Sequence, residues 1–252
     1  MKLALAQMRV EGGCRGANLQ RAVDRIAEAA QVGADVVLLP EALNWGWTHP
    51  PPRGRRDAIP DGASFKTLAD AAAANDVWVC AGLVEISDDV FNAAVLLDRA
   101  GELVLHHRKI HELPIAHHLY ARGCSTNVAT TEFGTAGVHI CADAAAPGQW
   151  VGRQLGEQGA QFILSPCAWA VEAGHDPAVT SYGDLWRRSY KPVAQAYGLW
   201  IAGCSCVGRI DAGPWKGRRC IGNSIVIGPD GEELLTGPHG EDADVLLWLE
   251  LG

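Results

Sequence analysis

No window of this sequence holds the roughly 20 consecutive apolar residues that a membrane-crossing helix needs. The opening residues, Met1-Lys2-Leu3-Ala4-Leu5-Ala6-Gln7, run directly into a strand-like pattern and lack the apolar stretch and cleavage site of a signal peptide. Cytoplasm is therefore the expected location. Positive charge is scarce: 21 Lys and Arg stand against 29 Asp and Glu, a formal net charge of −8. That balance argues against nucleic-acid and anionic-membrane partners, which want a basic face. The short run Arg53-Gly54-Arg55-Arg56 does not alter it.

Metal-binding spacings are missing as well. Cys-x-x-Cys does not occur, and the pairs His106/His107 and His117/His118 lack a helical His-x-x-x-His interval. Cys204 and Cys206 alternate onto one face of a strand. The eight cysteines, spread over 252 residues, do not make the dense framework of a small secreted domain. Free thiols are expected, with no metal and no cofactor.

What is present is an alternation of strands and helices. Residues 17–32 carry Leu19, Ala22, Val23, Ile26, Ala29 and Ala30 at three-and-four spacing, and Gly33 closes the helix they predict. Strands are predicted at 2–8, 35–39, 77–84, 92–97 and 103–107, with a second helix over 64–75. The order then repeats: strand 135–140, helix 148–158, strand 161–164, helix 179–197, then strands near 200–205, 223–228 and 244–249. Pro229-Asp230-Gly231 supplies a turn. Two similar halves packed together imply an α/β class, a layered sandwich with helices on both outer faces. No linker divides residues 1–252, so a single domain is expected.

Three apolar runs each end in one reactive side chain: Val36-Val-Leu-Leu-Pro-Glu41, His106-His-Arg-Lys109 and Gly137-Val-His-Ile-Cys141. Singly they are weak. An exposed Glu or Lys is ordinarily only solvated, and a free cysteine is ordinarily core. Taken alone, Cys141 would be read like Cys80, Cys167 and Cys204. Together, a carboxylate, an ammonium and a thiol at strand ends are the parts needed to attack a carbon–nitrogen bond through a thioester.

In this order and at these intervals the three strings resemble the nitrilase superfamily of carbon–nitrogen hydrolases. The resemblance runs from Lys2 to near Leu249. It takes in Asn92-Ala-Ala-Val-Leu-Leu-Asp98, Gln158-Gly-Ala-Gln-Phe-Ile-Leu-Ser-Pro166 and Asn223-Ser-Ile-Val-Ile-Gly-Pro-Asp-Gly231. It implies a four-layer α-β-β-α sandwich, assembled as a homodimer or larger homo-oligomer in which the layers double to eight. It also implies Cys141 as nucleophile, Glu41 as general base, and Lys109 with the Ala142 N–H as oxyanion donors. Cys141-Ala-Asp143, and the absence of a long C-terminal extension, side with the amidase and carbamoyl-hydrolase branches rather than with nitrilases, which usually carry Cys-Trp-Glu.

The chain also departs from the family pattern. Ala116 stands about where many members carry a second glutamate, leaving Glu112 or His117 to supply that polar contact. Ala144-Ala-Ala-Pro147 replaces a bulkier stretch, from which a wider pocket is expected. Trp45, Trp47 and Trp169 follow strand ends, where they read either as flat walls for an apolar acyl group or as core and interface packing. Arg53, Arg55 and Arg56 read as solvated loop charges or as holders of a substrate carboxylate.

The resulting expectation is a thiol-dependent amidase acting on a small amide or carbamoyl compound, with catalytic residues Glu41, Lys109 and Cys141. Its substrate-contacting residues are Ala142, Trp45, Trp169, His117 and Glu112. The rival expectations are a nitrilase, a degenerate small-molecule-binding homologue and a metal-binding thiol protein.

Overall fold

The computed structural model describes residues 1–52 and 54–252. The first half of the chain builds β1 (Lys2–Gln7), α1 (Arg15–Gln31), β2 (Val36–Leu38), α2 (Ala63–Asn75), β3 (Trp78–Ile86), β4 (Val90–Leu97) and β5 (Leu103–Arg108). The second half follows the same plan. It contains β6 (Val128–Thr131), β7 (Gly134–Val138), α3 (Trp150–Glu157), β8 (Phe162–Cys167), β9 (Ala170–Val171), α4 (Gly183–Tyr197) and β10 (Trp200–Ser205). The short strands β11 (Val207–Arg209), β12 (Arg219–Ile221), β13 (Ile225–Ile227) and β14 (Glu233–Thr236) come next, and β15 (Val245–Glu250) closes the chain.

Two six-stranded sheets result, ordered β15-β1-β2-β3-β4-β5 and β14-β13-β10-β8-β7-β6, with a small third sheet β11-β12-β9. Period-two alternation decides which residue faces which layer. Along β1, Ala4 and Ala6 turn to the core under α1 and α2, whereas Leu3 and Leu5 turn to the core shared with the second sheet. On the other side, α3 and α4 cover the second sheet, burying Leu155, Trp186, Tyr190 and Val193 in that same core. The expected α-β-β-α sandwich is what forms. Its apolar stripe on α1 uses Leu19, Ala22, Ile26 and Ala29, the three-and-four spacing visible in the sequence.

Differences fall at short elements and helix starts. Strands β6, β9, β11, β12 and β14 have two to four residues, too few for an alternating pattern to stand out. The third helix begins at Trp150 because Gly148 and Gln149 take positive φ (69° and 55°). The fourth begins at Gly183 rather than 179 and runs through Pro192, which its tertiary packing outweighs.

The chain's crossovers bring the C-terminal ends of β2, β5 and β8 and the exit of β7 to one place. Gly82 on β3 is what lets β2 end there. Its backbone lies so close that an added Cβ would sit 2.5 Å from Glu41 Cα and 2.8 Å from the Pro40 oxygen. Both obstacles are backbone, so Gly82→Ala is expected to cost about 1–3 kcal/mol and to displace Glu41. Chemical denaturation alongside turnover would show it, and unchanged values in both would refute the close fit.

Candidate active site

Glu41 follows Pro40 just past β2 and is fully buried. Its N–H donates to the Cys167 oxygen (3.2 Å), and Leu43 N–H donates to Gly82 (2.9 Å). Its Oε1 accepts from Lys109 Nζ at 2.7 Å and from Asn92 Nδ2 at 2.6 Å. Oε2 is buried and has no hydrogen-bond partner among the described residues. One oxygen is thus committed to holding the site together and the other is left for chemistry.

Lys109 follows β5 and is likewise buried. Its N–H donates to the Asn92 oxygen at 2.8 Å, so Asn92 grips both Lys109 and Glu41. The Nζ lies 3.6 Å from Glu112 Oε2 and 5.8 Å from the centre of the Trp47 ring. Burial opposes the ammonium charge, but Glu112, Glu41 and Cys141 together outweigh it and hold the pKa well above its ordinary value. Lys109 is a permanent cation in this site.

Cys141 opens a 3₁₀ turn, Cys141–Ala145, at φ 44°. A side chain there costs roughly 1–2 kcal/mol, the kind of strain that gathers at functional positions. The sheet itself supplies the turn: β7 ends at Val138 and the next residues bend away towards α3. Burial pushes the thiol pKa well up, helped by the neighbouring Cys167 thiol and by Glu41, with Lys109 opposing. The resting group is a thiol, so a base must take its proton.

Asp143 clasps the two halves of the site. Fully buried, its Oδ1 accepts from the N–H groups of Ile110 (3.1 Å) and His111 (2.7 Å) just after Lys109. Its Oδ2 accepts from Ile140 N–H (2.9 Å) just before Cys141 and meets His107 Nε2 at 2.9 Å. These bonds offset its burial and hold the carboxyl well below the usual range.

Of the expected contact residues, Glu112 belongs to this centre. It is buried, both its oxygens lack hydrogen-bond partners among the described residues, and burial raises its pKa to about 7 despite Lys109. Ala116 is fully buried and supplies no polar group. Trp45 lies in the core under α1 and α2, with Arg55 over its ring, and Trp47 is the indole that faces Lys109. His117 is exposed, bonded to the Glu112 carbonyl oxygen (3.0 Å) and to Arg122 (2.6 Å). It lines a separate surface cavity of about 580 Å³ with Arg55, Asp88 and Tyr120.

Trp169 has no exposed surface. It stacks on Trp186 at 4.2 Å and 12°, a packing role behind the site rather than an open rim. Ala142, Ala144 and Ala146 are buried where α4 and α3 seat on the turn. Their small side chains admit those helices. Arg55 and Arg56 are exposed, and Arg53 lies outside the described residues. The sequence reading missed Asn92 and Asp143 as site residues. Both stand inside quoted motifs, but their roles rest on partners far along the chain.

Glu112 yields a pH effect. Its folded pKa is raised from an ordinary 4.5 to about 7, so its stability contribution is full below 4.5 and is lost as pH rises through 7. At 1.36 kcal/mol per pH unit the loss is about 3 kcal/mol. Glu112→Gln is expected to lack it and to gain on the wild type between pH 5 and 8 in denaturant titrations. Parallel curves would contradict the raised pKa.

Residues 2–247 match the carbon-nitrogen hydrolase family. The chain is 27% identical to a chloroplastic omega-amidase of Arabidopsis thaliana, over 89% of this chain and 61% of that protein. It is 27% identical to nitrilase homolog 2 of Dictyostelium discoideum, over 62% of this chain and 51% of that protein. The chain thus spans between half and two thirds of the length of these relatives. Among solved structures, an amidase from Nesterenkonia sp. superposes with a TM-score of 0.81 at 25% identity, over all of this chain and 90% of the other. A mutant of the Nesterenkonia sp. AN1 amidase carrying acrylamide at its active-site cysteine gives 0.81 at 23% identity, over 100% and 93%.

Proposed function

This chain belongs to the carbon–nitrogen hydrolase family, and on that premise we propose that it hydrolyses a small non-peptide amide or carbamoyl compound through a Cys141 thioester. The observation that carries the reading is the buried Lys109–Glu41 contact at 2.7 Å, with Glu41 Oε2 left without a hydrogen-bond partner among the described residues and Cys141 held at positive φ. Free Oε2 takes the thiol proton as Sγ attacks the carbonyl carbon. Lys109 Nζ and the Ala142 N–H receive the oxyanion, where removing one such donor elsewhere costs roughly 3–4 kcal/mol. Glu41 returns the proton to the departing nitrogen, and ammonia or an amine leaves. Glu41 then activates water, which releases the carboxylic acid and restores the thiol.

Glu112 supplies the second carboxylate from the far side of Lys109. It takes the place of a glutamate at position 116, its unpartnered oxygens available to an amide nitrogen. A retained carboxylate there supports catalysis over a purely binding role. Asp143 acts as a positioning residue. The same reading makes the enzyme a cytoplasmic homodimer or larger homo-oligomer. Exposed Trp150 and Leu185 on the adjacent helices α3 and α4 are apolar surface that such an assembly would cover, and light scattering in solution tests it.

The deciding experiment compares amides, N-carbamoyl compounds and the matching nitriles under single-turnover conditions. A Cys141-linked acyl adduct from the amide or carbamoyl substrate, with ammonia or amine release, is expected. Acid formed only from nitriles would replace this reading with the nitrilase one.

A further inference from the structure

The thiol of Cys167 lies beside the nucleophile for a topological reason. Strands β7 and β8 are parallel, with Ala136 opposite Phe162, Gly137 opposite Ile163 and Val138 opposite Leu164. The ladder outlasts β7, since His139 N–H donates to the Leu164 oxygen at 3.3 Å. Beyond the ladder, the turn that opens at Cys141 packs on β8, which ends at Cys167. A disulfide needs roughly 4.4–6.8 Å between Cα atoms, a separation that neighbouring elements in contact can reach. Both cysteines are buried in one core, and the Cys167 thiol helps to hold the Cys141 thiol protonated. Cys167 Sγ is also held among polar groups: the Ser165 oxygen at 3.2 Å, Ser165 Oγ at 3.4 Å and Tyr190 Oη at 3.6 Å.

We propose that Cys141 and Cys167 are a reversible oxidation site, closing to a disulfide when the protein meets hydrogen peroxide or a related hydroperoxide. In the first step Cys141 sulfur attacks one peroxide oxygen and the O–O bond breaks. Cys141 becomes a sulfenic acid and one water leaves, the thiol proton passing by way of Glu41 to the departing hydroxide. In the second step Cys167 sulfur attacks the sulfenic sulfur, the S–S bond forms, the S–O bond breaks and a second water leaves with the Cys167 proton. Two thiols lose two hydrogens, and the peroxide is reduced to two waters. A thiol reductant reverses the bond by exchange. The pair withdraws Cys141 from chemistry while it lasts and keeps that sulfur from climbing to the sulfinic state, which such reductants do not reverse.

The other close pair gives an internal comparison. Cys206, just ahead of β11, and Cys220 on β12, the strand that pairs with β11, lie in one core, but neither is at the end of β7 or β8. Cys14 and Cys124 are exposed and serve as markers of peroxide exposure.

The test treats the reduced full-length protein with stoichiometric hydrogen peroxide, caps remaining thiols under denaturing conditions and digests it with trypsin without reductant. The expected product is the peptide Gly123–Arg153 joined to Gln154–Arg187, with fragmentation placing the link at Cys141 and Cys167 and dithiothreitol undoing it. In Cys167→Ser and Cys167→Ala, given several equivalents of peroxide alongside the wild type, Cys141 is expected to gain two or three oxygens that dithiothreitol does not remove. The inference is overturned if wild-type Cys141 is over-oxidised as fast as in those variants. It is equally overturned if the link joins other cysteines, or if Cys141 stays unmodified while Cys14 and Cys124 react. The wild-type peptide map decides even if both variants fail to fold. The readout is mass and not turnover, so its failure leaves amide hydrolysis untouched, and failure on amides leaves the disulfide standing.

Discussion

Cys141→Ala is expected to lose amide turnover by about 10⁵-fold, close to the background left when a covalent nucleophile is removed and the rest of a site remains. The loss should appear in kcat, with substrate still bound, because Lys109, Glu41 and Glu112 keep their contacts without the sulfur. Position 141 also carries a second, independent signature. Its φ of 44° suits glycine and not alanine, so Cys141→Gly is expected to be more stable than Cys141→Ala by about 1 kcal/mol. Paired denaturation curves measure that difference. If alanine proves the more stable, the turn is not strained as described. Turnover surviving in both variants would sink the thioester mechanism itself.

Lys109→Met is expected to damage stability and chemistry together. It removes the cation between Glu41 and Glu112 and leaves two buried carboxylates facing each other. Breaking a buried pair from one side costs about 3–5 kcal/mol, and losing the oxyanion donor costs on the order of 10²–10³ in kcat. The stability loss has a sign in pH. Without the ammonium the Glu112 carboxyl is raised further above its unfolded value, so the variant is penalised most at alkaline pH and recovers as that carboxyl takes up its proton on going to acid pH. Lys109→Met combined with Glu112→Gln should regain part of the loss at pH 8 without regaining turnover. Urea denaturation at pH 5.5 and 8 checks both points. An identical cost at the two values would mean that Lys109 does not serve to neutralise this centre.

Determined by the sequence alone were the elements that repeat and the side chains at their ends. The stripe of Leu19, Ala22, Ile26 and Ala29 must form one helix face, since only helical periodicity unites those positions. Glu41, Lys109 and Cys141 each close an apolar run, and apolar runs in an α/β chain become buried strands whose ends carry the chemistry. Glu112 was legible too, as the one carboxylate near a motif that lacked its usual acid.

Tertiary structure alone decided what depends on separations of tens of residues. That Trp47 and not Trp45 faces Lys109 turns on the path of a loop, which short-range patterns do not encode. That Asp143 ties Ile110 to Ile140, and that Asn92 grips both Glu41 and Lys109, required strands distant in sequence to become neighbours. Trp169 passes from rim to core because α4 lays Trp186 on it. Cys167, an ordinary core cysteine by sequence, stands at the end of β8, the strand that pairs with β7 and on which the nucleophile's turn packs. Periodicity reports which way a side chain points within its own element. Only the pairing of elements says what it meets there.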